Sequence, residues 1–441
     1  MEILKKLLFH RSPPQTLALG FLITILMGTI LLSLPYSTHA PISLLNAFFT
    51  ATSATTVTGL VVLDTGADFT RFGQVVIMTM MQIGGIGLMT FTIFIVLLLG
   101  KKIGLKDRLL VQESFNQHST GGMVKLVKLV FIFAISMELL ATIILSIKWV
   151  PEYGWGEGLF TSLFHAVSAF NNAVSLWSDS LTSYKGDPLV NIVITFLFIT
   201  GGIGFTVIYE LISKRTFNHL SLHTKVMLVG TLIINVIATL LIFSLEYLNP
   251  NTLGSLPFIE KIWSSYFQAV TPRTAGFNSL DTGSMETSSL ILTMVLMFIG
   301  AGSASTGSGI KLTTFLVTII AVISYLRGRQ EPVLYERTLP SSIIVRSLAI
   351  IVTSFLFVLS GIFLLSIVES ASLLEISFEA FSAFGTVGLS MGLTSGLSTS
   401  GKLIICLLMF IGRIGPVTFA FALAKADKRK INYPKGDIFT G

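Results

Sequence analysis

The chain has 441 residues, of which 52% are hydrophobic and only 12% charged, and its mean hydropathy is +0.82. That balance excludes an ordinary soluble domain and points to an integral membrane protein. One cysteine, Cys406 in an apolar run, excludes an intrachain disulfide framework and a cysteine metal cluster.

Taken in order, the chain predicts a span over residues 16–35, retained because no small-residue cleavage site precedes it. The stretch "LLNAFFTATSATTVTGL" (residues 44–60) follows, an amphipathic helix too short to cross a bilayer that ends in hydroxyl residues and glycine. A span over 74–99 carries "QIGGIG" at its centre. The pattern then recurs: span 126–147, "GLFTSLFHAVSAFNNAVSL" (158–176), and span 188–209 with "ITGGIG". The third copy is span 226–245, "WSSYFQAVTPRTAGF" (263–277), and an apolar run over 290–325 with "FIGAGS" that is too long and is broken. Span 348–367, "LLEISFEAFSAFGTVGL" (373–389) and span 403–423 with "FIGRIG" complete a fourth.

The expected fold is therefore an all-α membrane protein of eight transmembrane helices and four re-entrant pore helices, arranged as four repeats around a pseudo-fourfold pore. The repeats run over 12–100, 120–213, 224–328 and 343–424, and 425–441 form a cytoplasmic tail. With both termini cytoplasmic, inner segments hold 21 of the 29 Lys and Arg, the asymmetry that orients membrane proteins. Outer segments hold 13 acidic residues against six basic ones, so the outer face gathers cations. The pI of about 9.4 thus follows from topology, and nucleic-acid binding is not expected.

Irregular backbone at membrane depth is tolerated only where it is buried in protein or lines a watery cavity. A short helix ending in "TVTGL" presents a row of carbonyls, and glycine permits the positive φ that turns them towards one axis. Four such loops replace the hydration shell of a monovalent cation. The short helices also aim their negative dipole ends at the pore centre. For a single loop, packing without an ion is an equal reading; four in register argue against it. The candidates are Thr56, Val57, Thr58 and Gly59, then Asn172, Ala173 and Val174, then Thr274, Ala275 and Gly276, and finally Thr386, Val387 and Gly388.

"GAGSASTGSG" comprises Gly300, Ala301, Gly302, Ser303, Ala304, Ser305, Thr306, Gly307, Ser308 and Gly309. It cannot continue as an undisturbed helix. A helix crossing built on small residues is one reading; a flexible intramembrane loop that blocks the pore and moves on gating is the other. Arg413 stands in the column of Gly85, Gly202 and Ala301 and needs a cavity or a partner. It either bonds carbonyls of the broken neighbour, sets a positive barrier below the filter, or both. Lys311 either snorkels to the inner surface or joins this site. Arg273 is expected to pair with an acid and fix the third loop, and Glu138 to be a hydrogen-bonded packing residue rather than a proton relay.

At these residues the sequence resembles the superfamily of potassium transporters that includes the bacterial Trk and Ktr membrane subunits and the plant HKT proteins. "SATTVTGL", "AVTPRTAGFNSLD", "GAGSASTGSGIKLTTF", "FSAFGTVGL" and "MFIGRIGP" carry the resemblance, which covers essentially the whole chain. The length, the lack of extra N-terminal spans and the ending "YPKGDIFTG" look most like the Ktr branch, KtrB and KtrD. The resemblance implies potassium uptake at the cell membrane, with K⁺ on the filter carbonyls and no cofactor in this chain. It also implies a homodimer in the lipid bilayer, one pore per subunit, on a cytosolic ring of KtrA/KtrC-like RCK-type subunits that alone would hold a nucleotide. One departure stands out: family members carry a glycine in every loop, but the second loop here has Val174 and looks one residue short. A natural variant of weaker selectivity, an engineered change and a sequence irregularity all fit.

Sodium or mixed permeation is the alternative within the class. In some HKT relatives a first-loop serine accompanies sodium selectivity, and Gly59 at that position favours potassium. A secondary active symporter places its sites between inverted repeats, whereas these repeats share one orientation. A membrane enzyme needs convergent carboxylates, His or a nucleophile within the spans, and one intramembrane Glu with no intramembrane His argues against it.

Overall fold

The structure is a computed structural model that describes residues 13–98, 123–173, 175–177, 180–329 and 331–423. Val174, the basic segment 99–122 and the tail 425–441 lie outside the described residues. Among the described residues, four helices are long and apolar enough to cross a membrane: α1 (Pro13–Leu32), α5 (Met123–Asn171), α8 (Leu222–Glu246) and α12 (Ser341–Val368). The chain is a mostly helical multi-pass membrane protein. Exposed side chains along these helices, such as Ile30, Ile143, Leu232 and Val352, form the apolar outer surface that lipid requires.

Each of these helices leads into a short one. α2 (Leu44–Thr56), the last part of α5, α9 (Phe258–Val270) and α13 (Leu373–Gly385) occupy the stretches read as pore helices. α5 is two helices joined through Gly154, whose φ of 80° and ψ of 170° break the ladder. Ser43 caps α2 by accepting from Asn46 N–H, and Ser372 and Glu375 form a capping box at α13. In α2 every residue from Phe49 to Thr56 is buried, so the last two turns of the helix have no lipid or water face. Its hydroxyls fold back onto the helix: Thr52 Oγ1 donates to Phe48 O and Thr56 Oγ1 to Thr52 O, each at 2.7 Å.

The glycine-rich spans lie behind these helices. They are α3 (Arg71–Ile86) with α4 (Leu88–Leu98), α6 (Pro188–Ile203) with α7 (Phe205–Ser213), α10 (Thr287–Phe298) with α11 (Leu312–Leu326), and α14 (Thr399–Ile414) with α15 (Pro416–Leu423). The sequence reads the first, second and fourth as continuous spans, and the structure corrects this. Each breaks at a positive-φ glycine, namely Gly87, Gly204 and Gly415 at 95°, 109° and 95°, and α6 and α7 are bent by 94°. No side-chain-bearing residue takes this backbone readily. The third span breaks over residues 299–311, a little beyond the stretch the sequence marked. A short hairpin, β1 (Val333–Leu334) with β2 (Arg337–Thr338), joins α11 to α12.

The remaining glycines of these centres serve packing. A Cβ on Gly84, Gly201 or Gly412 would collide with Thr55 O, Phe170 O or Phe384 O, the last-turn carbonyls of the short helix in front. Gly84→Ala tests this. In an open helix the change stabilises by roughly 1 kcal/mol; here we expect a loss of about 1–3 kcal/mol from overpacking. Thermal melting in detergent measures it, and a raised midpoint contradicts the packing.

Candidate selectivity filter and intramembrane loop

Each of the four short helices is followed by a left-handed residue, at once in the first, second and fourth and after three further residues in the third. Val57, Asn172, Thr274 and Thr386 have φ of 58°, 62°, 80° and 49°. Three of the four are β-branched, and such backbone costs about 1–3 kcal/mol at each position, so the surroundings must impose it. In the first loop Thr58 N–H donates to Ser53 O at 2.8 Å and Gly59 N–H to Ser53 Oγ at 3.1 Å. The fourth repeats this: Val387 N–H reaches Ser382 O at 2.9 Å and Gly388 N–H reaches Ser382 Oγ at 3.1 Å. In the second, Ala173 N–H donates to Ser168 O at 3.0 Å. This loop is not short up to Ala173, because Asn172 takes the same left-handed position as its counterparts.

The third loop differs. Thr271, Pro272 and Arg273 stand between the end of α9 and the left-handed Thr274, and Ala275 N–H donates to Thr271 O at 3.0 Å. Sequence reading missed the serines, although "SA" recurs six residues before Gly59, Val174 and Gly388. Ser53→Ala strands the Gly59 N–H; we expect a cost of about 1–3 kcal/mol and weakened ion discrimination, read by thermal melting and tracer uptake.

Past the turns the loops converge. A Cβ built on Gly276 would collide with Val387 O and lie 3.3 Å from Ala173 O and 3.4 Å from Thr58 O. A Cβ on Gly388 would collide with Thr58 O, and one on Gly59 would lie 3.2 Å from Ala173 O. Oxygens of the first, second and fourth loops thus surround the glycine of the third. Thr58, Ala173, Ala275 and Val387 are wholly buried. Thr56 closes α2 rather than joining the loop, and its hydroxyl lies 2.7 Å from that of Thr58. A cavity of about 610 Å³ opens onto Gly59, Gly276 and Gly388, with Asp64, Asp281 and Lys185 on its wall. Closely set carbonyl dipoles beneath such a polar mouth substitute for the water around a bare monovalent cation.

On the other side of the turns lies the loop 299–311. Backbone pairs hold it to the α6–α7 break: Gly302 N–H to Gly202 O at 2.7 Å, Thr306 N–H to Gly201 O at 3.1 Å, and Phe205 N–H to Ala304 O at 2.7 Å. Its ends meet in a bridge between Ile299 and Ile310. Arg413 Nη1 donates to Thr306 O and to Ser308 Oγ at 3.0 Å, and Nη2 donates to Gly84 O and to Gly85 O at 3.2 Å. Lys311 does not snorkel; its ammonium donates to Gly307 O at 2.8 Å. Carbonyls without helical partners are thereby satisfied by the two intramembrane cations. The loop also meets the turns. Asn172 Nδ2 donates to Thr306 Oγ1 at 2.9 Å, and Gly307 packs on Thr274 Oγ1.

Two flanking residues complete the picture. Arg273 pairs with no acid among the described residues: Nη1 donates to Asn235 Oδ1 on α8 at 3.0 Å, a neutral partner 38 residues away in sequence. Glu138 accepts from Gln82 Nε2 at 3.1 Å and from Asn171 Nδ2 at 3.2 Å, which makes it a hydrogen-bonded packing residue.

The chain is 62% identical to Ktr system potassium uptake protein B of Bacillus subtilis over 431 residues, 98% of this chain and 97% of that one. It is 38% identical to potassium/sodium uptake protein NtpJ of Enterococcus hirae, with all of both chains covered. The solved structure of the potassium transporter TrkH from Vibrio parahaemolyticus shares the fold, with a TM-score of 0.71 over 92% of this chain and 85% of that one at 19% identity. Residues 9–432 match the profile of the TrkH family, described as cation transport protein. The chain belongs to the TrkH family of cation transport proteins.

Proposed function

We propose that this protein takes up potassium across the cell membrane through a channel-like, carbonyl-lined filter. The observation that carries the reading is Gly276 ringed by the carbonyl oxygens of Thr58, Ala173 and Val387. The relative named as potassium uptake protein B supports potassium as the ion. Eight crossings and four pore helices form the pore, with both termini cytoplasmic, and the repeats 12–100, 120–213, 224–328 and 343–424 each supply one quarter. The loop Gly300 to Gly309 is the gate below the filter, held shut by Arg413. A homodimer on a cytosolic RCK-type ring is the working assembly, and the ring biases the gate. The relative named as a potassium/sodium uptake protein favours mixed permeation as the second reading, with Val174 as its most economical cause.

Growth at low potassium is the test. A bacterial strain stripped of its own potassium uptake, expressing this chain with a Ktr-type regulatory ring, should grow where the empty vector does not. Equal growth with and without the chain, once its membrane insertion is verified, removes the reading.

A further inference from the structure

The second pore loop raises a question that the other three do not. Loops one, three and four complete their turn with a positive-φ glycine, but the sequence puts Val174 at that place. What is unusual on the described side of the turn is a buried polar cluster. Asn171, the last residue of α5, donates from Nδ2 to Gln82 Oε1 at 2.5 Å, to Glu138 Oε1 at 3.2 Å and to Val167 O at 2.9 Å. Gln82 Nε2 closes the triangle on Glu138 Oε2 at 3.1 Å. The three side chains come from α3, the first limb of α5 and the end of the second pore helix. Glu138 is 5% exposed and Asn171 not at all.

The matching positions in the other loops hold less. Thr56 bonds back to its own helix, Arg273 reaches one neutral partner on α8, and Gly385 has no side chain. At these matching positions, among the described residues, only Asn171 bonds a carboxyl group; the fourth loop meets its buried carboxyl, Glu379, farther out, through Ser390. Both amides direct their NH₂ groups at Glu138, which fixes the way each amide faces. Asn171 Oδ1 is then turned onto Gly85, where only the missing Cβ leaves room. Gly84 and Gly85 in turn present the carbonyls that hold Arg413. Both NH₂ groups, Gln82 Oε1 and both Glu138 oxygens are engaged, and only Asn171 Oδ1 lacks a hydrogen-bond partner, so the paired groups favour a single arrangement.

We propose that Glu138 is a positioning residue for ion selection: with Gln82 it locks Asn171, and so sets the second filter loop through side chains where the other loops use glycine. The proposal rests on the filter reading above. It predicts that the second loop loses its register when the cluster is broken, although none of the three side chains touches the ion.

The experiment is ⁸⁶Rb⁺ uptake into proteoliposomes holding full-length dimer, with K⁺ and Na⁺ as competitors, for Glu138→Gln, Gln82→Met and Gly59→Ser. The readout is the ratio of the two competitor concentrations that halve uptake. A packing defect lowers the amount of assembled protein and scales total uptake, but leaves this ratio alone. Glu138→Gln brings a third NH₂ into the triangle, and we expect the ratio to fall about fivefold or more. Gln82→Met should shift it in the same direction. The exchange Glu138→Gln with Asn171→Asp returns one carboxyl group to the cluster and should recover part of the ratio. An unchanged ratio in both Glu138→Gln and Gln82→Met, beside a changed one in Gly59→Ser, overturns this inference and leaves the filter standing. An unchanged ratio in all three overturns both.

Discussion

Deleting residues 303–307 should raise ⁸⁶Rb⁺ flux through reconstituted protein by about tenfold or more and make it independent of the cytosolic ring. The loop 299–311 lies against Asn172 and Thr274, the left-handed residues at the base of two of the proposed filter loops. It is held there by Arg413, through bonds to Thr306 O and Ser308 Oγ, and by Lys311 on Gly307 O, the arrangement proposed above as the closed gate. A hydrogen bond to a charged donor is worth about 1.5–3 kcal/mol, and 1.4 kcal/mol is a factor of ten in a population. In the proposed gate, losing one such bond shifts the balance between closed and open by about tenfold or more. The deletion is sterically mild, because the Ile299–Ile310 bridge already brings the loop's ends together. Arg413→Ala should raise flux as well, and the two changes should not add, since they act on one closed state. Dimeric, well-inserted variants with unchanged flux would leave the loop as packing and nothing more.

Gly276→Ala should cost discrimination between potassium and sodium by roughly tenfold or more. A Cβ there meets Val387 O at once, with two further carbonyl oxygens within 3.4 Å, so several oxygens must move together. Its φ of 74° adds strain that glycine does not carry. The structure also ranks the positions. Gly388→Ala should be about as damaging, because its Cβ meets Thr58 O, whereas Gly59→Ser should be milder, with its nearest carbonyl at 3.2 Å. Competition of K⁺ and Na⁺ against tracer uptake orders the three. Gly59 emerging as the most sensitive would contradict the geometry.

Much of this was legible in the chain. Glycine and hydroxyl residues at membrane depth have few uses, so "TVTGL", "FGTVGL" and "GAGSASTGSG" mark irregular backbone directly. An intramembrane Arg413 had to find acceptors, and the broken neighbour supplies them. The breaks at Gly87, Gly204 and Gly415 were not legible, because a lone glycine in an apolar run reads equally as close helix packing. Gly84 shows that packing use three residues from Gly87. The partner of Arg273 was also hidden. Charge alone suggests an acid, but what reaches the guanidinium is fixed by how α8 lies beside the loop, and it presents Asn235. Glu138, Gln82 and Asn171 lie 33 to 89 residues apart, and no local pattern announces that they meet.

The most direct test of the carbonyl filter is ⁸⁶Rb⁺ uptake by proteoliposomes loaded with potassium and holding the wild-type protein, with no proton or sodium gradient imposed. External K⁺ should suppress uptake at concentrations far below those at which Na⁺ does, and Gly276→Ala should bring the two together. Uptake that requires a proton or sodium gradient, or that Na⁺ and K⁺ suppress equally in the wild type, would contradict the account.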